Sequence, residues 1–407
     1  MLDTNVIRAE FLALARTTAG RSVVYLDSAA SALKPRAVID AVTKYLSTNG
    51  SNVHRGLHTF SQEASEAFET SRSRVTQFLG ASGDDEIVLT KNATEGLNVV
   101  AAGLALSPTD NVVGTIVDHH SNILPWQVRC EYRCVDVLKS PERFAELIAA
   151  RVDERTKAIA APMYSNVTGA RFPVEQLVPI AAKWGIPLVV DAAQAGGHVP
   201  LRVGELGADF VAISAHKMCG PPGVGALWGR REWLARLKPM FVGGGTIATL
   251  DFEADEPVVF RRSPWRFEAG TPDISGTLGF GAAVRFLDEI GMESIHQHVM
   301  AVWAAGMETV KKEGLEEIFE IGTGSKEDNV GIISFAPRRE QVDPVRLSQI
   351  LSDTYGVMAR AGSHCAHPLH KALGWTRGSL RFSLQLYNTV DEITYAVRSL
   401  AACTKLL

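Results

Sequence analysis

Short apolar runs rich in β-branched residues recur through the middle of the chain. Residues 86–90, 112–117, 158–161, 186–190 and 209–216 each read as a strand buried on both faces. Between them lie stretches of helical period, such as residues 174–183. The alternation, from about residue 85 to 230, predicts βαβ units: a mostly parallel sheet with helices on both faces. Residues 280–287 read as part of a long helix leaving that sheet. The tail, from about residue 288, reads as a second, smaller α/β unit with strands at 330–335 and 379–384. The first twenty or so residues are expected to form a helix that packs on one of the two units. This gives a large domain over 21–287 and a small domain built from 1–20 and 288–407.

Composition narrows the class. The 407 residues are 46% hydrophobic and 21% charged, as in an ordinary soluble globular enzyme. The formal net charge of -4 gives no basic surface for nucleic acid. No apolar run approaches the roughly 18 residues that a membrane span needs. The first eight residues lack the basic-then-apolar order of a signal peptide. Cys130, Cys134, Cys219, Cys365 and Cys403 form no CxxC pair and no even framework, which fits free thiols in a reducing cytoplasm. The sequons at Asn49, Asn92 and Asn166 are then incidental.

Asp191 follows the fourth apolar run and Lys217 the fifth. Ligands of open α/β sheets bind outside the carboxyl ends of the strands. A carboxylate and an amine presented there suit pyridoxal phosphate, which needs a lysine for a Schiff base and an aspartate at its ring nitrogen. A structural ion pair is the alternative. The segment from Asn92 to Val100 follows a strand and opens a helix. Its first N–H groups and the Thr94 hydroxyl could bind a phosphate, or Asn92 or Thr94 could be a plain helix cap. Ser214 and His216, beside Lys217, could add donors. The Gly220-Pro221-Pro222-Gly223-Val224-Gly225 stretch has no phosphate-loop spacing and reads as a rigid turn.

His119, in Asp118-His119-His120-Ser121-Asn122, could stack on an aromatic cofactor and move protons. A zinc site and a structural histidine are the rivals, with no third ligand evident for the metal. Cys365 stands among Arg360, Gly362, Ser363, His364 and His367, a polar and electropositive setting of the kind that favours a nucleophilic thiolate. A small buried packing residue is the alternative. Arg381 could hold a carboxylate by a bidentate bond, or lie on the surface.

Taken in order, these segments resemble fold-type I pyridoxal phosphate enzymes of the class V aminotransferase group. Within that group the chain resembles the Suf-type cysteine desulfurases, which overlap with selenocysteine lyases. The resemblance runs over nearly the whole length. It covers Tyr25-Leu26-Asp27-Ser28-Ala29-Ala30-Ser31, Val53-His54-Arg55-Gly56, residues 92–96, 118–126, 191–194, 214–225 and Gly243-Gly244-Gly245. It continues through Trp265-Arg266-Phe267-Glu268-Ala269-Gly270-Thr271-Pro272, residues 360–368 and 381–389. Each motif is weak alone; their order is specific.

The resemblance implies that Lys217 carries the cofactor as a Schiff base and moves protons. It implies that Asp191 pairs with the pyridinium nitrogen, Gln194 with the ring hydroxyl, and that His119 stacks on the ring. The Ala93 and Thr94 backbone, with the side chains of Thr94, Ser214 and His216, would bind the phosphate. Thr271 would reach the phosphate of a second subunit, implying a homodimer with shared sites. Asn166, Arg360 and Arg381 would line the substrate site, with Arg381 on the carboxylate. Cys365 would take the sulfur of L-cysteine as a persulfide, releasing L-alanine and passing sulfur to a Suf-type acceptor protein for iron–sulfur cluster assembly. Ser363, His367 and Pro222 depart from the family's usual residues, and sulfur specificity and acceptor choice are the properties this touches. Selenocysteine lyase activity, a related lyase or epimerase, and a catalytically silent cofactor-binding partner are the competing readings.

Overall fold

The structure is a computed structural model that describes residues 2–18, 20–54, 56–254, 258–325 and 328–405. Arg55, within the 53–56 motif, lies outside the described residues. Seven strands form the large sheet: β1 (Ile87–Thr90), β2 (Asn111–Thr115), β3 (Glu131–Val135), β4 (Thr156–Pro162), β5 (Leu188–Asp191), β6 (Phe210–Ser214) and β7 (Gly225–Gly229). Their order is β1-β7-β6-β5-β4-β2-β3. The strands from β6 through β3 pair in parallel, and β7 runs antiparallel to both neighbours. Every residue of β2, β5, β6 and β7 is buried, which is why their sequences are apolar without alternation. Side chains still alternate between faces. Val211 and Ile213 join one apolar cluster, while Phe210 and Ala212 join another on the opposite face.

A second sheet holds β8 (Phe319–Gly322), β9 (Ile332–Pro337), β10 (Arg360–Gly362) and β11 (Ser379–Ser383), ordered β8-β9-β11-β10 and antiparallel throughout. The main helices are α1 (Arg36–Thr48), α2 (Thr59–Leu79), α3 (Ala93–Gly103), α4 (Ile274–Ile290), α5 (Met292–Lys312), α6 (Pro344–Tyr355) and α7 (Val390–Thr404). The expected helix at 280–287 lies inside α4, which packs against α1 and α2. No helix among the described residues is long and apolar enough to cross a membrane.

Several element ends differ from the sequence pattern for local reasons. The run 112–117 stops being strand at Thr115, because the Asp118 carboxylate accepts from the Thr115 N–H (2.8 Å) and hydroxyl (2.6 Å) and turns the chain. The run 209–216 ends at Ser214 and continues as a 3-10 turn, Ala215–Lys217. The helix expected at 174–183 splits into a 3-10 turn (Val174–Leu177) and a short helix (Val178–Trp184), with Pro179 in its first turn where no N–H is needed. The N-terminal helix is only Thr4–Ala9; the chain then leaves it, and Phe11 is buried edge-on against Phe286 and Tyr387.

The segment after residue 23 ties the two sheets together. On one side Val24–Tyr25 pairs in parallel with Val357–Met358 and the Ser383 N–H donates to the Leu26 carbonyl (2.8 Å); on the other the Ala32 N–H donates to the carbonyl of His216, in the turn after β6 (2.8 Å). One apolar cluster runs from Val211 and Ile213 of the large sheet to Phe335 and Phe382 of the second. The loops at the carboxyl ends of β5 and β6 therefore face β10 and β11 across a shared seam.

Candidate active site

A cavity of about 240 Å³ opens in that seam. It is lined by Lys217, Asp191, Gln194, His119, Asn166, Arg360, Arg381 and Cys365, and by the candidate anion-binding residues Ala93, Thr94, Ser214 and His216. Thr271 alone of the expected site residues is not on this lining. It lies in surface grooves with Asp273 and Pro272, and the Asn52 amide donates to its hydroxyl at 3.4 Å.

Asp191 is the last residue of β5 and is 8% exposed. Burial pushes its carboxyl above the usual range, opposed by Lys217 and by the Ala193 N–H that donates to it (2.9 Å). A cationic partner restores its charge, and a protonated pyridine nitrogen is such a partner. Lys217 ends the turn after β6. Burial pushes its amine down to about 8, against a smaller upward pull from Asp191. An amine so shifted is partly neutral near physiological pH, the nucleophilic form that attacks a carbonyl.

His119 precedes a short 3-10 turn, and its Nδ1 accepts the Ser121 N–H (3.1 Å). That assigns the ring proton to Nε2. Burial first, then the nearby Lys217, pushes the imidazole down to about 3, so it stays neutral. Beneath it, the buried Asp118 carboxylate accepts from Thr115 and from the Asn122 amide (2.7 Å), and burial raises it to about 7.

The start of α3 fits an anion. Asn92 caps the Glu95 N–H (3.0 Å), and the Ser214 hydroxyl accepts the Ala93 N–H (2.9 Å). Among the described residues no hydrogen bond within the chain satisfies the Thr94 N–H, and its hydroxyl meets that of Ser121 (2.7 Å). A helix start with an uncommitted N–H and three hydroxyls suits a phosphate. The bond between Ala93 and Ser214 means the Ala93 N–H already has a partner.

The opposite wall comes from the second sheet. Arg381, in β11, is 2% exposed; it donates to the Asn166 carbonyl (2.7 Å) and to Asp27 (3.4 Å). Burial lowers its guanidinium to about 10. Arg360, in β10, forks onto Asp27 at 2.9–3.1 Å. Cys365 is exposed, and both Cys365 (φ 55°) and His364 (φ 48°) are left-handed without being glycine. Such residues cost on the order of 1–3 kcal/mol each and persist only where contacts hold them. The Asn166 amide donates to the His364 carbonyl (2.7 Å), and the His364 ring meets Ser379 at 3.1 and 3.2 Å.

Sequence reasoning missed Asp27, Asp118, Ser121 and His364 as parts of the site. Asp27 lay in a quoted motif, yet nothing local shows that its carboxylate serves arginines more than 330 residues away. The zinc alternative for His119 finds no support in grouping: among the described residues no three His, Cys, Asp or Glu side chains are placed to hold a metal ion.

Four buried polar atoms around this cavity have no hydrogen-bond partner among the described residues: Asn166 Oδ1, Gln194 Oε1, His364 Nδ1 and Arg381 Nε. Buried polar atoms are seldom left so, and their convergence marks a polar ligand's place. With a depressed lysine amine, an aspartate and an anion-binding helix start, the residues fit pyridoxal phosphate.

This architecture and this lining define a class, and comparison agrees: residues 24–395 match the family described as aminotransferase class-V, and the chain belongs to it. Its relatives narrow the class. The chain is 37% identical to a probable cysteine desulfurase of Streptomyces coelicolor, covering 98% of this chain and 97% of that one. It is 36% identical to a cysteine desulfurase of Cronobacter sakazakii, covering 98% of each. Among solved structures, it superposes on a cysteine desulfurase from Escherichia coli in an S-sulfonic acid form with a TM-score of 0.87, at 29% identity over 100% of both chains. It also superposes on an apo cysteine desulfurase from Thermococcus onnurineus with a TM-score of 0.84, at 33% identity over 95% of both.

Proposed function

We propose that this protein is a pyridoxal phosphate-dependent cysteine desulfurase that moves sulfur from L-cysteine to Cys365 and releases L-alanine. One observation carries this reading: Lys217, Asp191, Arg381 and Cys365, from four separate elements, line a single cavity. The names of the full-length relatives support it. When bound, pyridoxal phosphate supplies an electron sink that loosens bonds at the amino acid's α and β carbons.

The chain's own residues do the rest. Asp191 would hold the ring nitrogen protonated, and the Gln194 side chain would face the ring hydroxyl. Thr94, Ser214 and His216, with the start of α3, hold the phosphate. Arg381, whose Nε is unsatisfied, takes the substrate carboxylate, and Asn166 and Arg360 complete that wall. This directs the substrate sulfur toward Cys365. The Cys365 thiolate forms the S–S bond as the substrate's Cβ–S bond breaks. The broken bond's electron pair stays with the carbon skeleton, which leaves as L-alanine once protonated. Lys217 and the neutral His119 are the groups placed to move those protons.

Residues 360–368 support assignment to the Suf-type subgroup, and with it delivery of the persulfide to an acceptor protein for iron–sulfur assembly in the cytoplasm. The position of Thr271, away from its own cavity, supports a homodimer in which it serves the partner's phosphate. The test is alanine production from L-cysteine with a reductant present, on wild type and Cys365→Ala. Alanine from the wild type alone, with equal cofactor absorbance in both, is expected. Equal alanine from the variant would refute the role of Cys365, and none from either would refute the activity.

A further inference from the structure

The strained turn at His364 and Cys365 is anchored on its N-terminal side by Asn166 and Ser379. A further anchor is a pair of histidines that does not line the cavity. The ring of His367 stacks on that of His120, with centroids 5.0 Å apart and planes 11° from parallel. His367 Nδ1 lies 3.2 Å, and its backbone N 3.4 Å, from His120 Nε2. The backbone N–H can only donate, so His120 Nε2 is the acceptor and the His367 ring supplies a second donor. His120 in turn donates its own backbone N–H to the Cys365 carbonyl at 2.9 Å. One residue therefore grips both Cys365 and the residue two further on. It is also covalently joined to His119, whose ring lines the cavity.

We propose that His367, through His120, is a positioning residue that clamps the Cys365 turn at a fixed distance from the His119 wall of the cavity. Ala366, fully buried, fixes the chain just after Cys365 through the bond from its N–H to the Ser363 carbonyl (2.8 Å); without the clamp, the carbonyl side of Cys365 loses its tie to the His119 wall, and the exposed thiol samples positions from which it misses the substrate sulfur. The role is additional to the catalytic groups and rests on Cys365 being the sulfur acceptor.

The test compares wild type with His367→Ala, which removes the ring and its donor, and His367→Phe, which keeps a ring without that donor; the backbone N–H stays in both. His367 is exposed at the start of a short helix, where both substitutions leave the core untouched. In the cofactor-loaded proteins, kcat for alanine formation should fall about tenfold or more in His367→Ala, and less in His367→Phe, as a displaced reacting group requires. KM for L-cysteine and cofactor absorbance should stay within about twofold of wild type, because neither the carboxylate nor the phosphate contacts are touched. Alkylation of Cys365 by iodoacetamide, followed by peptide mass spectrometry without substrate, should change in rate in the same two variants. The alkylation arm needs no turnover, so it stands or falls independently of the desulfurase reading. Unchanged kcat and alkylation in His367→Ala would overturn the clamp. A loss matched by lost cofactor or a raised KM would overturn it too.

Discussion

Asp27 is the group whose removal tests the electrostatics of the substrate wall most directly. Its carboxylate is only 16% exposed and serves two arginines of very different burial. Arg360 is 52% exposed, so its ion pair is worth about 0–1 kcal/mol however good its geometry. The Arg381 side chain is 3% exposed, and depriving a buried charge of its partner costs about 3–5 kcal/mol. Asp27→Asn keeps a carbonyl oxygen at the site and Arg381 keeps the Asn166 carbonyl, so the lower part of the range applies, about 3 kcal/mol in all. Unfolding entropy of about 2.1 cal/mol/K per residue, over 407 residues, gives about 0.85 kcal/mol/K, so Tm should fall by about 3–4 °C. Arg381 also loses the carboxylate that holds its guanidinium up against burial, so its proton is held less tightly than in the wild type. A ligand carboxylate supplies the missing charge, and saturating L-alanine should therefore raise Tm more in the variant than in the wild type. Scanning fluorimetry of the cofactor-loaded proteins, with and without L-alanine, reads both numbers. A fall below about 1 °C, or a larger L-alanine effect in the wild type, would refute this account of Asp27 as the internal counter-charge.

Two further outcomes follow from the Lys217 turn. A Cβ at Gly197 would lie 2.5 Å from the Lys217 carbonyl oxygen and 3.1 Å from the Met218 Cα, so Gly197→Ala must shift the backbone that carries the amine; kcat/KM should drop about 100-fold while soluble yield is retained, and near-normal activity would show that the turn tolerates displacement. In the cofactor-free protein, the Lys217 amine sits at about 8 against an ordinary 10.5, so between those values the unfolded chain binds more protons and stability rises with pH, the full penalty being present below 8. Urea midpoints should therefore favour Lys217→Met over wild type at pH 7, with the gap narrowing by pH 10; a gap that does not change contradicts a buried, depressed amine.

Much of the large sheet was legible because burial on both faces leaves a short uninterrupted apolar run, as in β5 and β6. The carboxyl-end rule then placed Asp191 and Lys217 together before any contact was known. What escaped was set by partners distant in sequence. Asp27 is meaningful only beside Arg360 and Arg381. The left-handed turn at His364 and Cys365 has no glycine to announce it, since tertiary contacts, not local preference, impose it. The early ends of the strands at Thr115 and Ser214 follow from a side-chain bond and a tight turn that hydrophobic periodicity does not register.

The division of labour between the two sheets explains why such contacts matter. The Asp191 carboxylate ends strand β5 and the Lys217 amine stands on the turn after β6, both in the large sheet, while the arginine and the thiol belong to β11 and the turn after β10. An amino acid the size of cysteine must touch both walls at once, so an error of about 1 Å between the sheets separates a reacting pair. The shared apolar cluster sets that separation coarsely, because close-packed side chains resist sliding. Polar cross-links then fix it locally: Ser383 to Leu26 at the floor, Asn166 to His364 and Arg381 at the side, and His120 to Cys365 and His367 at the mouth. The last two link loops of the large sheet to the second sheet, and the first holds the connecting N-terminal segment on the second sheet, so the alignment of thiol and amine depends on all three together. Loss of any one should lower turnover before it lowers cofactor affinity, because the anion site at α3 and the Asp191 carboxylate lie wholly within the large sheet.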